Sequence, residues 1–172
     1  MATEDGTYVQ VEGRPAVRFR RNLRHPAAKV WAAISEPSEL KHWFPAAVTI
    51  EPQQGGTITF GDDPNVPDRK GEILVYEPPR RLAFTWGASE LRFEIEPDGD
   101  QRCWLTLIDV LENTDTAARN AAGWHVCLAE LDKAINGEPG GGPHADTAER
   151  WHPLYEAYVA GGMPSGAPIP GL

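Results

Sequence analysis

The feature that most constrains this chain is the stretch Glu90-Leu91-Arg92-Phe93-Glu94-Ile95-Glu96, in which charged and apolar residues alternate strictly. A period of two puts Leu91, Phe93 and Ile95 on one face of a strand and four charges on the other. Such a strand has a dry side and a wet side, and belongs in an antiparallel sheet covered on one face only. Between 47 and 111 the same period recurs, punctuated by Gln54-Gly55-Gly56, Gly61-Asp62-Asp63-Pro64, Glu77-Pro78-Pro79, Trp86-Gly87 and Pro97-Asp98-Gly99-Asp100. Strands over about 70–76, 81–86 and 102–110, joined by short turns, predict an antiparallel meander of about six strands.

The flanks supply the rest of an α+β domain. Residues 14–23 read as a half-buried strand, with Val17, Phe19 and Arg21 on one face and Arg18 and Arg20 on the other. His25-Pro26 ends it and opens a helix carrying Val30, Trp31 and Ile34, which Glu36-Pro37 breaks. Ser38, Leu40, Trp43 and Phe44 make a second short helical segment, closed before Pro45 because the residue preceding proline avoids the helical region. The cover for the sheet is a helix from Asn113 to Asn136. Trp124, Cys127, Leu128, Leu131 and Ile135 form its apolar stripe, Thr114 or Thr116 can cap its start, and Asn136-Gly137 stops it. Ala117, Ala118, Ala121, Ala122 and Gly123 keep its first half thin, which leaves room between helix and sheet.

After residue 136 the composition changes: the last 36 residues hold 14 of the 33 Gly plus Pro. The expected organisation is therefore a domain over 14–137, a Gly/Pro linker over 138–147, an amphipathic helix over 148–160 and a mobile tail over 161–172. Trp151, Leu154, Tyr155 and Tyr158 lie on one stripe of that helix, too much apolar surface to leave in water. The helix should dock on its own domain or, in a homodimer, on a second subunit.

Charge removes several function classes. Lys plus Arg number 16 against 25 Asp plus Glu, a net charge of −9 that opposes binding to phosphate backbones. The basic group Arg18, Arg20, Arg21 and Arg24 reads as a solvated strand face, and no nucleic-acid partner is expected. Cys103 and Cys127 are too few for a disulfide framework and fit a reducing compartment. The opening residues are acidic and polar, no signal-like apolar run follows, and no run of about 18 apolar residues occurs; a cytoplasmic chain without membrane insertion is expected. His42, His125, His144 and His152 lack the spacing of a metal cluster, and no nucleophile elbow, P-loop or dinucleotide fingerprint is present, so neither metal nor cofactor is expected.

The residues at which these readings converge resemble a known family. Val30-Trp31 with Ile34, Glu36-Pro37 through Leu40 to Trp43-Phe44-Pro45, Gly55-Gly56, Gly71, Glu77-Pro78-Pro79-Arg80-Arg81-Leu82 leading to Thr85-Trp86, and Gly123-Trp124 through Leu128 and Leu131 are similar to the SRPBCC, or START-like, superfamily. The specific branch is the one named for homology to the activator of Hsp90 ATPase, and the resemblance covers about residues 14–137. It implies a helix-grip (Bet v 1-like) fold, in which a curved antiparallel sheet wraps the last long helix around a deep, largely apolar cavity. It does not imply one activity.

Within that frame the candidate ligand-binding residues are Trp43, Phe44, Phe84, Trp86, Phe93, Leu107, Asp109, Trp124 and Leu128. The aromatic members are those the resemblance places around the cavity. Asp109 enters through its phase: it alternates with Cys103, Leu105 and Leu107, so it faces the helix if Leu107 does, and an inward carboxylate needs a partner. Branch members often carry histidine near this position, a departure that weakens transfer of any polar role. A strand-end carboxylate reaching water or capping the next helix is the plainer alternative. The leading functional expectation is binding of a small hydrophobic or amphipathic ligand. The alternatives are a cyclase- or hydrolase-like enzyme on polyketide-like substrates, with Asp109 and His125 moving protons, and an Hsp90 co-chaperone-like protein.

Overall fold

A computed structural model describes residues 5–61, 69–143 and 147–168. The expected turn at Gly61-Asp62-Asp63-Pro64, beyond Gly61, and His144 lie outside the described residues. Eight strands form one curved antiparallel sheet: β1 (Thr7–Val11), β2 (Arg14–Leu23), β3 (Ala47–Ile50), β4 (Thr57–Gly61), β5 (Arg69–Glu77), β6 (Arg81–Trp86), β7 (Ser89–Pro97) and β8 (Cys103–Val110). Their spatial order is β1-β2-β8-β7-β6-β5-β4-β3, so the meander β3 to β8 folds back to place its last strand beside β2. Helices α1 (Ala27–Ser35) and α2 (Pro37–Leu40) lie between β2 and β3. A 3-10 turn (Thr114–Thr116) leads into α3 (Ala117–Ile135), and α4 (Thr147–Ala160) follows.

The alternation read along the chain becomes cross-strand layers. Leu82 pairs with Phe93 and Phe84 with Leu91; Phe93 in turn pairs with Leu107, and Ile95 with Leu105. All seven side chains are buried, on the face that α3 covers. The opposite face stays wet. There the Arg20 guanidinium lies over the Trp104 ring at 4.5 Å, a surface cation–π contact that fits the solvated reading of the basic strand.

Strand β1 has no counterpart among the sequence expectations. It lies ahead of residue 14 and pairs with β2 through a two-residue turn in which Glu12 (φ 53°) and Gly13 (φ 78°) both take positive φ. That geometry is the tight hairpin turn matching strand twist, and Glu at its first position lacks the Asn or Asp signal that marks it in sequence. Its core-side neighbours are still consistent with the fold: Gly6, just before β1, donates its N–H inward rather than to solvent.

The long helix also differs in detail. Neither Thr114 nor Thr116 caps it; the Thr116 hydroxyl donates instead to the Asn113 carbonyl at 2.7 Å. One orphan N–H at the helix start, that of Ala118, is satisfied by the Pro164 carbonyl at 2.9 Å. Residues 161–168, expected as loose chain, are thus seated on α3: Ala167 N–H also donates to the Asp115 carbonyl, and Arg119 to the carbonyl of Pro168. Helix termini need partners, and a chain end able to supply carbonyls is ordered by that need.

Helix α4 packs against α3 of the same chain, the first of the two dockings its apolar stripe left open. Gly123 belongs to this contact and not to the interior, since a Cβ there would sit 3.9 Å from Trp151 Nε1. Near the other end of the contact, buried Glu130 (1% exposed) receives Arg150 of α4 at 2.8 Å and Lys133 at 3.6 Å. The linker crosses this pair so closely that a Cβ at Gly140 would collide with the Glu130 carboxylate.

Candidate functional site

The concave face of the sheet and the inner face of α3 bring together eight of the nine expected residues in full burial, with Trp86 half-buried. They do not all play one part. Trp43 has no exposed surface and donates its indole N–H to the Ala33 carbonyl at 2.9 Å, while its ring meets Phe93 edge-on at 6.2 Å. This pair, with Leu107 and Leu128, is deep core. Phe44, Trp86 and Trp124 instead form one side of an aromatic cluster that reaches the surface at Trp86. Phe44 stacks on Trp86 at 5.3 Å and meets Trp124 at 5.7 Å, and Trp86 meets Trp124 edge-on at 6.2 Å.

The centre of that cluster includes a residue sequence reasoning missed. Phe60 stacks on Trp86 at 4.7 Å with planes 10° apart, and lies 5.8 Å from Phe84. Its signal was available in Thr57-Ile58-Thr59-Phe60, where alternation puts Ile58 and Phe60 on one buried face of β4. Space that thin residues on α3 were expected to leave is taken up by approach and by rings: Ala117, Ala118, Ala121 and Ala122 are wholly buried, and the aromatic groups touch one another. Among the described residues, hollows of about 390 and 340 Å³ open on two parts of the surface. One lies on the outer sheet face around Arg80, Arg81, Glu94 and Thr106, the other beside Tyr8, Tyr158 and Met163. Neither lies between the sheet and α3, where the resemblance implied a cavity.

Asp109 faces inward, as its phase requires, and is 5% exposed. It sits in β8 between Val17 of β2 and Leu91 of β7, two apolar neighbours that offer it nothing polar. Its partners come from α3: Trp124 Nε1–H donates to Oδ2 at 3.0 Å, and Asn120 Nδ2 donates to the same oxygen at 3.1 Å. Burial pushes the carboxyl above its usual range, and the indole, the amide and nearby Arg119 pull the other way without cancelling it. The strand-end reading, a carboxylate in water or on a helix terminus, is therefore not the one realised. Asn120 was not among the expected residues; it lies one helical turn before Trp124, so a single α3 face delivers both donors.

His125 is not brought to Asp109. It lies on the other side of Trp124, where its Nδ1 is 2.9 Å from the Tyr158 hydroxyl and 3.9 Å from Asp5. The pairing of Asp109 with His125 that an acid–base enzyme would need is absent among the described residues. No group of three or more potential metal ligands occurs among them either, and no described helix is long and apolar enough to cross a membrane.

Comparison with known proteins agrees with this architecture. CalU16 from Micromonospora echinospora is similar at 22% identity with a TM-score of 0.72, covering 93% of this chain and 98% of that one. A conserved protein of unknown function from Enterococcus faecalis gives 19% identity and a TM-score of 0.72, covering 91% and 89%. The Aha1 dimer from Colwellia psychrerythraea gives 18% identity and a TM-score of 0.61, covering 73% and 98%. No curated protein matches. The family model described as Activator of Hsp90 ATPase homolog 1-like protein matches residues 24–136. That span holds α1 to α3, the whole meander, the aromatic cluster and Asp109, and the chain belongs to this family of the START-like superfamily.

Proposed function

We propose that the chain binds a small hydrophobic or amphipathic molecule between the concave face of the sheet and α3, with Asp109 as its polar anchor. The observation that carries this reading is the buried carboxylate itself. Packing alone has no use for an ionisable group between Val17 and Leu91, and burying one is costly even with two donors. An apolar lining with one or two placed polar groups is the usual chemistry of a small-molecule site.

The aromatic cluster defines how entry would occur. Phe44, Phe60, Trp86 and Trp124 occupy the space, so a ligand has to part them, and the half-buried Trp86 is the edge at which parting starts. Parting Trp124 also releases its N–H from Asp109, which frees an acceptor for a ligand hydroxyl or amine. The same geometry disfavours the proton-shuttling enzyme, whose two groups have separate partners.

Two probes of matched size test this, a planar aromatic carrying a phenolic hydroxyl and its wholly apolar analogue, followed by tryptophan fluorescence. Wild type should bind the hydroxylated probe more tightly by about tenfold, the value of one hydrogen bond to a charged group. Asp109→Asn should lose that preference and retain binding of the apolar probe. Absence of saturable binding for either probe, together with no bound mass in native mass spectrometry of protein purified from its own host, would overturn the reading.

A further inference from the structure

Where α3 meets α4 and strand β2, the flank of α3 carries a second polar centre. The Tyr158 hydroxyl of α4 accepts the Gly6 N–H at 2.8 Å, so its own proton is free to be donated to His125 Nδ1, 2.9 Å away. One hydroxyl thereby ties together the segment before β1, α3 and the end of α4. The arrangement requires Nδ1 of His125 to be unprotonated, with the ring proton on Nε2. The same Nδ1 has an alternative partner, since Asp5 Oδ1 lies 3.9 Å away. A neutral His125 accepts the Tyr158 proton; a protonated His125 can no longer take it, carries a donor at Nδ1, and is drawn by its charge toward Asp5.

We propose that His125, Tyr158 and Asp5 form an acid-released clasp that holds the end of α4 and the following residues 161–168 on α3. The charged and titratable groups facing His125 are Asp5 from the segment before β1, Arg21 from β2 and Tyr158 from α4. Phe19 of β2 meets the imidazole edge-on at 6.3 Å and supplies no counter-charge. Burial first, then Arg21, holds the imidazole below its ordinary range, with Asp5 opposing. The sign follows. The released form takes up a proton near the ordinary histidine value, the clasped form only at lower pH, so the clasp is fully present above that window and weakens as pH falls through it.

What the clasp controls is local. Beside the hydroxyl, the seam between β1 and α4 is the hollow of about 340 Å³ bordered by Tyr8, Ala157, Gly161 and Met163, so little packing replaces the lost bond. From there the chain runs back through the Met163 N–H to Tyr158 carbonyl bond to the Pro164 carbonyl that caps Ala118. Loosening Tyr158 therefore uncaps the start of α3, the helix that carries Asn120 and Trp124. The opposite end of α4 keeps its Glu130–Arg150 pair, so the helix hinges and stays attached.

Hydrogen exchange of the full chain, read by mass spectrometry and corrected for intrinsic rates, tests the clasp. Peptides covering 156–168 should exchange about tenfold faster at pH 5.0 than at pH 7.5, while β7 and β8 keep their protection. His125→Asn keeps an acceptor near the Nδ1 position and cannot titrate; it should hold wild-type protection at both pH values. Tyr158→Phe should be fast at both. Equal wild-type protection at the two pH values, or an acid-loosened His125→Asn, would overturn the proposal. Should that variant fail to fold, the wild-type imidazole can be titrated by nitrogen NMR. A midpoint within about one pH unit of the exchange midpoint supports the clasp, and a wider separation refutes it.

Discussion

The two faces of α3 are held by different physics. The inner face meets the sheet through a continuous apolar layer, including Trp124, Leu128, Leu131 and the buried Ala117 and Ala121, with one polar contact set into it at Asp109. The outer face meets α4 through a half-buried stripe of Trp151, Leu154 and Tyr155, pinned at each end by a polar contact, Glu130 with Arg150 and His125 with Tyr158. Area burial is non-directional and disappears only when the layer separates, whereas a polar pin is lost with one group or one proton. The inner contact makes the domain; the outer contact is the one that conditions can change.

The comparison breaks most severely on the inner side. Phe93→Ala removes a ring that is 1% exposed and leaves Trp43, Phe84 and Leu107 facing a cavity, with an expected loss of roughly 3 to 5 kcal/mol in urea denaturation. A loss under about 1 kcal/mol would show that the layer tolerates voids, as a ready ligand cavity would.

On the outer side the charged pin is the more costly to cut. Arg150→Met leaves the buried Glu130 carboxylate with Lys133 at 3.6 Å as its ion-pair partner among the described residues, and about 3 kcal/mol of stability should go with it. Glu130→Met combined with Arg150→Met should recover most of that loss, because the penalty belongs to the stranded charge and not to the pair. A double variant as unstable as the single one would mean that the pair itself holds α4.

The smallest expected effect has the opposite sign. Gly123→Ala adds a methyl at ordinary contact distance from Trp151 and removes a flexible residue from the interior of a helix. Thermal unfolding should show a gain of about 0.5 to 1 kcal/mol. A loss would mean that Trp151 packs on α3 more tightly than 3.9 Å implies.

What could be read before folding was what repeats at short range. Alternation alone placed Leu91, Phe93 and Ile95 on the covered face and carried the same phase across to Leu105, Leu107 and Asp109, while the apolar stripe and the Asn136-Gly137 stop set a helix over 113–136, of which 117–135 is α3. Side-chain direction follows from backbone period, so these assignments need no knowledge of neighbours. Strand β1 escaped because Glu12 is an unusual residue for the positive φ it adopts, and Phe60 escaped because its strand is short.

Partners are another matter. That Asp109 faces inward is a property of β8, but that Trp124 and Asn120 reach it depends on how far α3 descends onto the sheet, which the buried alanines set by letting it come close. Gly6 and Tyr158 are 152 residues apart and meet only because α4 folds back over α3. The filling of the interior by Phe44, Phe60, Trp86 and Trp124 is likewise a collective result, since each ring's position is decided by the others. Periodicity is local and is written in the chain; contact between distant groups is a balance of packing and desolvation struck only once every layer is in place.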